Sequence, residues 1–347
     1  MSMTTSIQNH AMSRRNALGT LVGAGVGLTT IGRAQKARAS GLIPVRMLDT
    51  PGRYTSSEAI YVAEAKGFFR AEGLALELVP LQQQSSWAFN SGAIDFSASA
   101  DYIYIVNVVD KGLRSRQIIS SLPNLDPRRA NDGLFVLEDS PIRGPADLRG
   151  KTIAMTSVWA SCAWFTLDFV ARAGLTTDDL NYTVIPAKEQ EQVLVNRHVD
   201  AVFAFSPIDA ILRRKGGYRQ VFSTADIPGR RIARGATMVR EGYAAKNPDN
   251  LRRYVTAIAN TVEWANRNQG EVVQIGIDLG RISPILAPYA YTLDGKGDYS
   301  VVSWPEHGVQ TVEDLTFWLN LAEKQDIVPK GNLKLTDVYT NAFNPYA

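Results

Sequence analysis

The sequence predicts an α/β protein built from two successive units, each a mostly parallel sheet flanked by helices. Three observations point there. One phrase, strand–turn–helix, recurs along the chain, as in parallel α/β sheets. A chain of 347 residues has room for two domains of ~100–200 residues each. At 45% hydrophobic and 20% charged, the composition suits a packed core rather than a disordered chain.

The first unit begins with the apolar run Val45 to Leu48, which ends in the turn-rich Asp49-Thr50-Pro51-Gly52. Ile60, Ala63 and Phe68 then recur at helical spacing from Ser57. Leu74 to Val79 alternates as a strand does. Trp87 to Asn90 reads as a short helix, Ile94 to Ala98 as a strand, and Asp101 to Val109 as a helix stopped by Gly112. A second unit starts near Gly133. Its expected strands are Leu134 to Leu137, Thr152 to Met155, Tyr182 to Ile185 and Ala201 to Phe205. Its expected helices are Ser161 to Ala173, Glu189 to Asn196 and a stretch from Pro207 to about Arg214, with a short helix inside Pro141 to Gly150. Beyond Arg240 the pattern turns helical over Pro248 to Arg267, Glu271 to Leu279 and Val309 to Gln325. The chain should cross between units around 125–133 and 225–238, where Asp, Arg, Pro and Gly replace apolar pattern.

The first 39 residues differ in kind. They hold five bases (Arg14, Arg15, Arg33, Lys36, Arg38) and no acid. Adjacent arginines, a weakly apolar Gly-rich stretch and Ala37-Arg38-Ala39 follow in the order of a twin-arginine export signal. Export with cleavage after Ala39 is expected. The whole chain carries 37 bases and 34 acids; without the leader it keeps 32 and 34, a balance of −2. A nucleic-acid partner loses its compositional support.

Other classes are excluded by what is missing. One cysteine forbids an internal disulfide and multi-cysteine metal sites, and three scattered histidines argue against a histidine metal centre. The chain has no Walker loop, dinucleotide fingerprint or HExxH motif. No metal, cofactor or catalytic residue is expected.

Several phrases resemble the solute-binding proteins of ABC importers for nitrate, sulfonates and taurine, the NMT1/THI5-like group. They are Ala65-Lys66-Gly67-Phe68-Phe69 with Glu72-Gly73-Leu74, Gly92-Ala93-Ile94-Asp95-Phe96, Ser140-Pro141-Ile142 through Asp147-Leu148-Arg149-Gly150-Lys151-Thr152-Ile153-Ala154, Val199-Asp200-Ala201 with Pro207, and Ile327-Val328-Pro329-Lys330. The resemblance implies the type II two-lobe fold of periplasmic binding proteins. It places lobe 1 in residues 40–128 and 236–347 and lobe 2 in 129–235. It also implies a non-enzymatic, monomeric protein of the periplasm that captures a small organic anion and delivers it to an ABC permease.

In open α/β sheets ligands sit beyond the carboxyl ends of the strands, where helix N-termini favour anions. The strand ends offer Tyr54 and Ser57, Gln82, Ser99 and Asp101, the run Ser157-Val158-Trp159-Ala160-Ser161, and Phe205. Ser57 and Asp101 equally suit ordinary helix caps. Arg234 near the return crossing is the candidate anion clamp, since a guanidinium grips carboxylate or sulfonate bidentately. Trp159 stands where the family resemblance would put a small residue, which favours an organic or aromatic ligand body. Two other functions share this fold: an enzyme or binding protein for a pyrimidine, resembling the thiamine-precursor proteins, and a ligand-sensing partner of a membrane receptor.

Overall fold

A computed structural model describes residues 41–49, 54–80, 85–158 and 160–347, with the backbone alone for Ser85, Ser86, Trp87 and Ser99. The expected leader with its cleavage point, Gln82 and Trp159 lie outside the described residues.

The chain runs β1 (Ile43–Asp49), α1 (Glu58–Ala65), α2 (Phe68–Ala71), β2 (Leu74–Pro80), α3 (Ser85–Asn90), β3 (Phe96–Asp101), α4 (Tyr102–Asp110) and β4 (Ser115–Ser120). It continues through β5 (Gly133–Leu137), β6 (Thr152–Met155), α5 (Ser161–Ala171), β7 (Asn181–Val184), α6 (Ala187–Val195), β8 (Ala201–Ala204), α7 (Ile208–Lys215) and β9 (Tyr218–Ser223). It returns with β10 (Gly235–Arg240), α8 (Glu241–Lys246), α9 (Pro248–Arg267), α10 (Gln269–Asp278), α11 (Ala287–Tyr291), α12 (Val312–Lys324) and α13 (Leu335–Val338).

Two five-stranded sheets result, ordered β2-β1-β3-β10-β4 and β7-β6-β8-β5-β9. The βαβ strands pair in parallel: β1 with β2 and β3, β6 with β7 and β8. The returning strands run the other way: β10 is antiparallel to β3 and β4, and β5 to β8 and β9. Each sheet is therefore mixed. The strands absent from the sequence reading are β4, β9 and β10. Tyr218-Arg219-Gln220 and Ser115-Arg116-Gln117 interrupt the apolar pattern, and β10 is buried along nearly its whole length, so it shows no alternation.

Helix bounds follow local chemistry. Helix α12 starts at Val312, three residues later than expected, because the Thr311 hydroxyl caps it by accepting from the Asp314 N–H at 3.2 Å. Helix α9 opens on Pro248, whose missing N–H costs nothing at a first helical position.

One apolar core lies under the first sheet, around Phe69, Phe96 and Tyr254. A second joins Tyr102, Ile103 and Val106 of α4 to Phe165 and Phe169 of α5 and to Trp318 of α12. Phe165 and Trp318 have ring centroids 6.1 Å apart, and the Trp318 indole donates to the Ala233 carbonyl at 2.8 Å. This second core thus reaches from the second sheet to the C-terminal helices and the crossing strand. No helix of the described residues is long and apolar enough to cross a membrane.

Candidate functional site

Helices α1 and α4 of the first sheet and α5 and α7 of the second supply the helix starts that flank the site. Each start has an acid or hydroxyl: Glu58 opens α1, Asp101 is the N-cap of α4, Ser161 opens α5, and Asp209 is in the first turn of α7. Strand β3 runs directly into α4, and the Tyr102 N–H donates to the Arg234 carbonyl at 3.0 Å. The return crossing is thereby fixed against the start of α4.

An N-cap aspartate ordinarily accepts from its own helix. Asp101 does not; its side chain makes no cap bond. It accepts instead from the Ser161 hydroxyl at 2.6 Å and from Arg234 Nε at 2.6 Å. Arg234 Nη2 pairs with Asp132. Arg234 is 6% exposed. Burial works against its charge, but Asp101 and Asp132 outweigh burial and hold it firmly protonated. One hydrogen-bonded chain therefore links a helix start from each sheet through both crossing segments.

Two further arginines complete the cluster. Arg213 donates to Asp209 at 2.8 Å, to the Tyr289 carbonyl at 3.3 Å and to Gln220 Oε1 at 3.1 Å, and it also bonds the Asn131 carbonyl. Burial pushes the Asp209 carboxyl up, against the pull of Arg213. Arg129 is buried and donates Nε to the Ala130 carbonyl at 3.2 Å; its Nη1 has no partner. Burial lowers its affinity for the proton, and nearby Glu58 opposes that. Glu58 is completely buried and accepts from the Tyr291 hydroxyl at 3.0 Å, while its Oε2 has no partner. Burial raises Glu58 to about 7, against Arg129, Tyr291 and Arg234. The cluster holds Glu58, Asp101, Asp132 and Asp209 against Arg129, Arg213 and Arg234, so acids outnumber bases by one when all are ionised.

The structure brings three of the sequence-selected residues together: Asp101, Ser161 and Arg234. Arg234 is not the free anion clamp expected of it, because its Nε and Nη2 already hold the carboxylates of Asp101 and Asp132. Tyr54 is also not a cleft residue. It is 1% exposed, belongs to the core under the first sheet and donates its hydroxyl to the Val272 carbonyl at 2.6 Å. Ser57 is the buried N-cap of α1, and Ala160 is the N-cap of α5. The Ser157 carbonyl accepts from the Cys162 thiol at 3.2 Å. Phe205 packs on Phe203 with centroids 5.1 Å apart. Ser99 contributes backbone to β3.

Sequence reasoning missed Glu58, Arg129, Asp132, Asp209, Arg213 and Tyr291. Glu58 and Asp209 had a signal, an acid in the first turn after a strand end, but that is also how an ordinary helix start looks. Arg129 and Asp132 sat in the expected crossing, where charge reads as surface.

Two mixed α/β sheets, joined by crossing segments and facing each other through helix starts, define the two-lobe fold of periplasmic binding proteins. The NMT1/THI5-like family profile matches residues 55–272, well over half of the sequence, and the chain belongs to that family. The riboflavin-binding protein RibY of Chloroflexus aurantiacus is 24% identical over 204 residues; the match spans 57% of this chain and 55% of RibY, about half its length. The aliphatic sulphonate binding protein SsuA of Escherichia coli has the same fold, with a TM-score of 0.64 at 18% identity over 87% of this chain and 98% of that one. So does the desulfurization enzyme DSZB, with a TM-score of 0.64 at 18% identity over 87% and 97%.

Proposed function

We propose that the chain is an exported solute-binding protein that takes up a small organic ligand between its lobes and presents it to an ABC importer. The observation that carries this reading is the bond from Ser161 to Asp101. It ties helix starts of the two sheets, so a ligand contacting both sides would stabilise the closed form over the open one. The family membership and the SsuA-like fold support it.

The cluster argues for a particular ligand chemistry. Carboxylates of the chain stand at three helix starts where an anion would otherwise bind, and two of the three arginines already pair with carboxylates. A neutral or zwitterionic heteroaromatic solute with hydrogen-bond donors fits this better than a bare inorganic anion. The RibY relationship, with riboflavin as that protein's ligand, points the same way. A small organic anion, sulfonate or aromatic carboxylate, is the second reading; the unpartnered Arg129 Nη1 favours it. A thermal-shift panel of riboflavin, pyrimidines, taurine, alkanesulfonates and benzoates tests both, since a ligand of the folded state raises Tm. A Tm response confined to the anions would overturn the first reading, and no response from any class would overturn ligand capture by this cleft.

Binding rather than turnover is favoured by Cys162. Burial pushes its thiol up, and the groups acting on it are the Ser157 carbonyl, Thr156 and backbone. A nucleophilic cysteine needs the opposite, a lowered pKa beside a base. Incubating the pure protein with whichever panel member raises its Tm, and looking for product, tests this.

A further inference from the structure

Glu58 is set apart from the other acids of the charged cluster. Asp101 and Asp132 both pair with Arg234, and Asp209 pairs with Arg213. Glu58 forms no ion pair among the described residues; it is completely buried, and the Tyr291 hydroxyl donates to its Oε1. Nearby Arg129 does not close on it: Glu58 Oε2 and Arg129 Nη1 are both sealed from water, and neither has a hydrogen bond. With a proton on Glu58, the three remaining acids of the cluster balance its three arginines. Without it, a net negative charge is shut away from water, which is costly.

The cover over Glu58 belongs to parts that move with the lobes. Tyr291 ends α11, and α11 packs on α7 of the second sheet. There Arg213 donates to the Tyr289 carbonyl at 3.3 Å, and Ala210 shares an apolar core with Ala287 and Ala290. The first crossing is bonded to the same helix end, from the Ala130 N–H to the Tyr291 carbonyl at 3.2 Å. Arg129 and Arg234 lie on the two crossings themselves. Rocking about the crossings therefore displaces α11 and both arginines relative to the start of α1.

The other titratable groups facing Glu58 keep their charge around neutral pH. Tyr54, in the turn before α1, and Tyr291 are both pushed up, by burial first and then by Glu58. Arg129 and Arg234 remain cations. Helices α9 and α10 also pack on α1, through apolar residues such as Val262 and Val272, and the Lys66–Glu271 ion pair is at the far end of α1. Asp209, the other acid that burial raises, is held by Arg213 on α7.

We propose that Glu58 is a proton-operated release for the lobes: the closed form holds the proton, and its loss favours an open form in which water reaches the carboxylate. This deepens the reading of the chain as a two-lobe capture protein and rests on it. Ionised Glu58 has no bonded base in the closed form, so ionisation stabilises the form that hydrates it. Burial is the first cause of its raised pKa, so opening lowers that pKa. A group that binds its proton more tightly when closed favours closure at low pH and opposes it as pH rises. A ligand held below neutral pH is then let go above it.

The test is small-angle X-ray scattering of the full chain without ligand from pH 5 to pH 9, with far-UV circular dichroism on the same samples. It needs no ligand, so its failure leaves ligand capture standing, and an unanswered ligand panel leaves this test standing. We expect the radius of gyration to rise above about pH 7 while the dichroism stays constant. The open-to-closed ratio should grow by up to about tenfold per pH unit, the limit for release of one proton. Glu58→Gln, permanently neutral, should stay compact throughout. Tyr291→Phe removes a donor that favours the ionised carboxyl, so its rise should begin at higher pH. If Glu58→Gln fails to fold, Tyr291→Phe carries the test. A radius that ignores pH, a rise that Glu58→Gln retains, or an unshifted rise in Tyr291→Phe overturns the proposal. So does expansion with loss of the dichroism signal, which is unfolding rather than opening.

Discussion

Glu58 is a carboxyl group whose ordinary value near 4.5 is moved by burial to about 7. The sign of the consequence follows from linkage. The folded protein binds this proton more tightly than the unfolded chain does. The contribution is fully favourable below the ordinary value, declines as pH rises toward 7, and is lost above it, a total of about 3 kcal/mol. Glu58→Gln should remove that slope and leave the variant more stable than the parent at pH 8. Urea unfolding of both proteins at pH 5 and pH 8 checks this; equal slopes would place the effect elsewhere. Asp101 poses the opposite case. It accepts from Ser161 and Arg234 at once, so Asp101→Ala leaves Arg234 buried with only Asp132. Breaking a buried pair from one side costs about 3–5 kcal/mol, and the lower end is expected because one partner remains. The same unfolding assay reads it, and a loss under 1 kcal/mol would show that the network contributes little.

At the scale of elements, both returning strands begin on a glycine for a packing reason. A Cβ on Gly133 would collide with the Phe222 carbonyl of β9, and one on Gly235 with the Ala100 carbonyl of β3. Neither glycine has a left-handed φ; the requirement is close approach of backbones where a crossing enters its sheet. Gly133→Ala and Gly235→Ala should each lower stability by about 1–3 kcal/mol through overpacking. Gly112→Ala serves as a comparison, since its added Cβ meets nothing within 4 Å and only its φ of 89° resists the change. If the two strand variants prove less costly than Gly112→Ala, the packing account is wrong. The same crossings mark where the sequence was hard to read. Strand β6 and helix α9 were visible to the residue, because Thr152 to Met155 is a bounded apolar run and Pro248 opens a long amphipathic pattern. Strand β9 was hidden because Arg219 and Gln220 bond sideways, Arg219 to the Ile142 and Ser140 carbonyls and Gln220 to Asn131. The site was half legible for a related reason. Position after a strand end selected Asp101 and Ser161, but Asp132 pairs with Arg234 and Arg129 feels the charge of Glu58, both far away in sequence.

For the whole molecule, Ser161 is the residue to perturb. Its hydroxyl donates to the Asp101 carboxylate group across the two halves, and a hydrogen bond of this kind is worth about 1.5–3 kcal/mol. Ser161→Ala should shift the population toward separated lobes, read as a larger radius of gyration in small-angle X-ray scattering, and should weaken capture of the cleft ligand. An unchanged radius and affinity would remove Ser161 from the closing mechanism. The apolar core linking α4, α5 and α12 has a further consequence, one that shows in heat rather than in distance. Burial of apolar surface is what gives binding a negative heat-capacity change. Phe165 and Trp318 already share one core across the two halves, so rocking about the crossings would slide that contact more than expose it. The enthalpy of ligand capture should therefore vary only gently with temperature, by the amount that the ligand's own surface accounts for. Calorimetry at three temperatures would read it, and a steep dependence would mean that the shared core opens each time the cleft does.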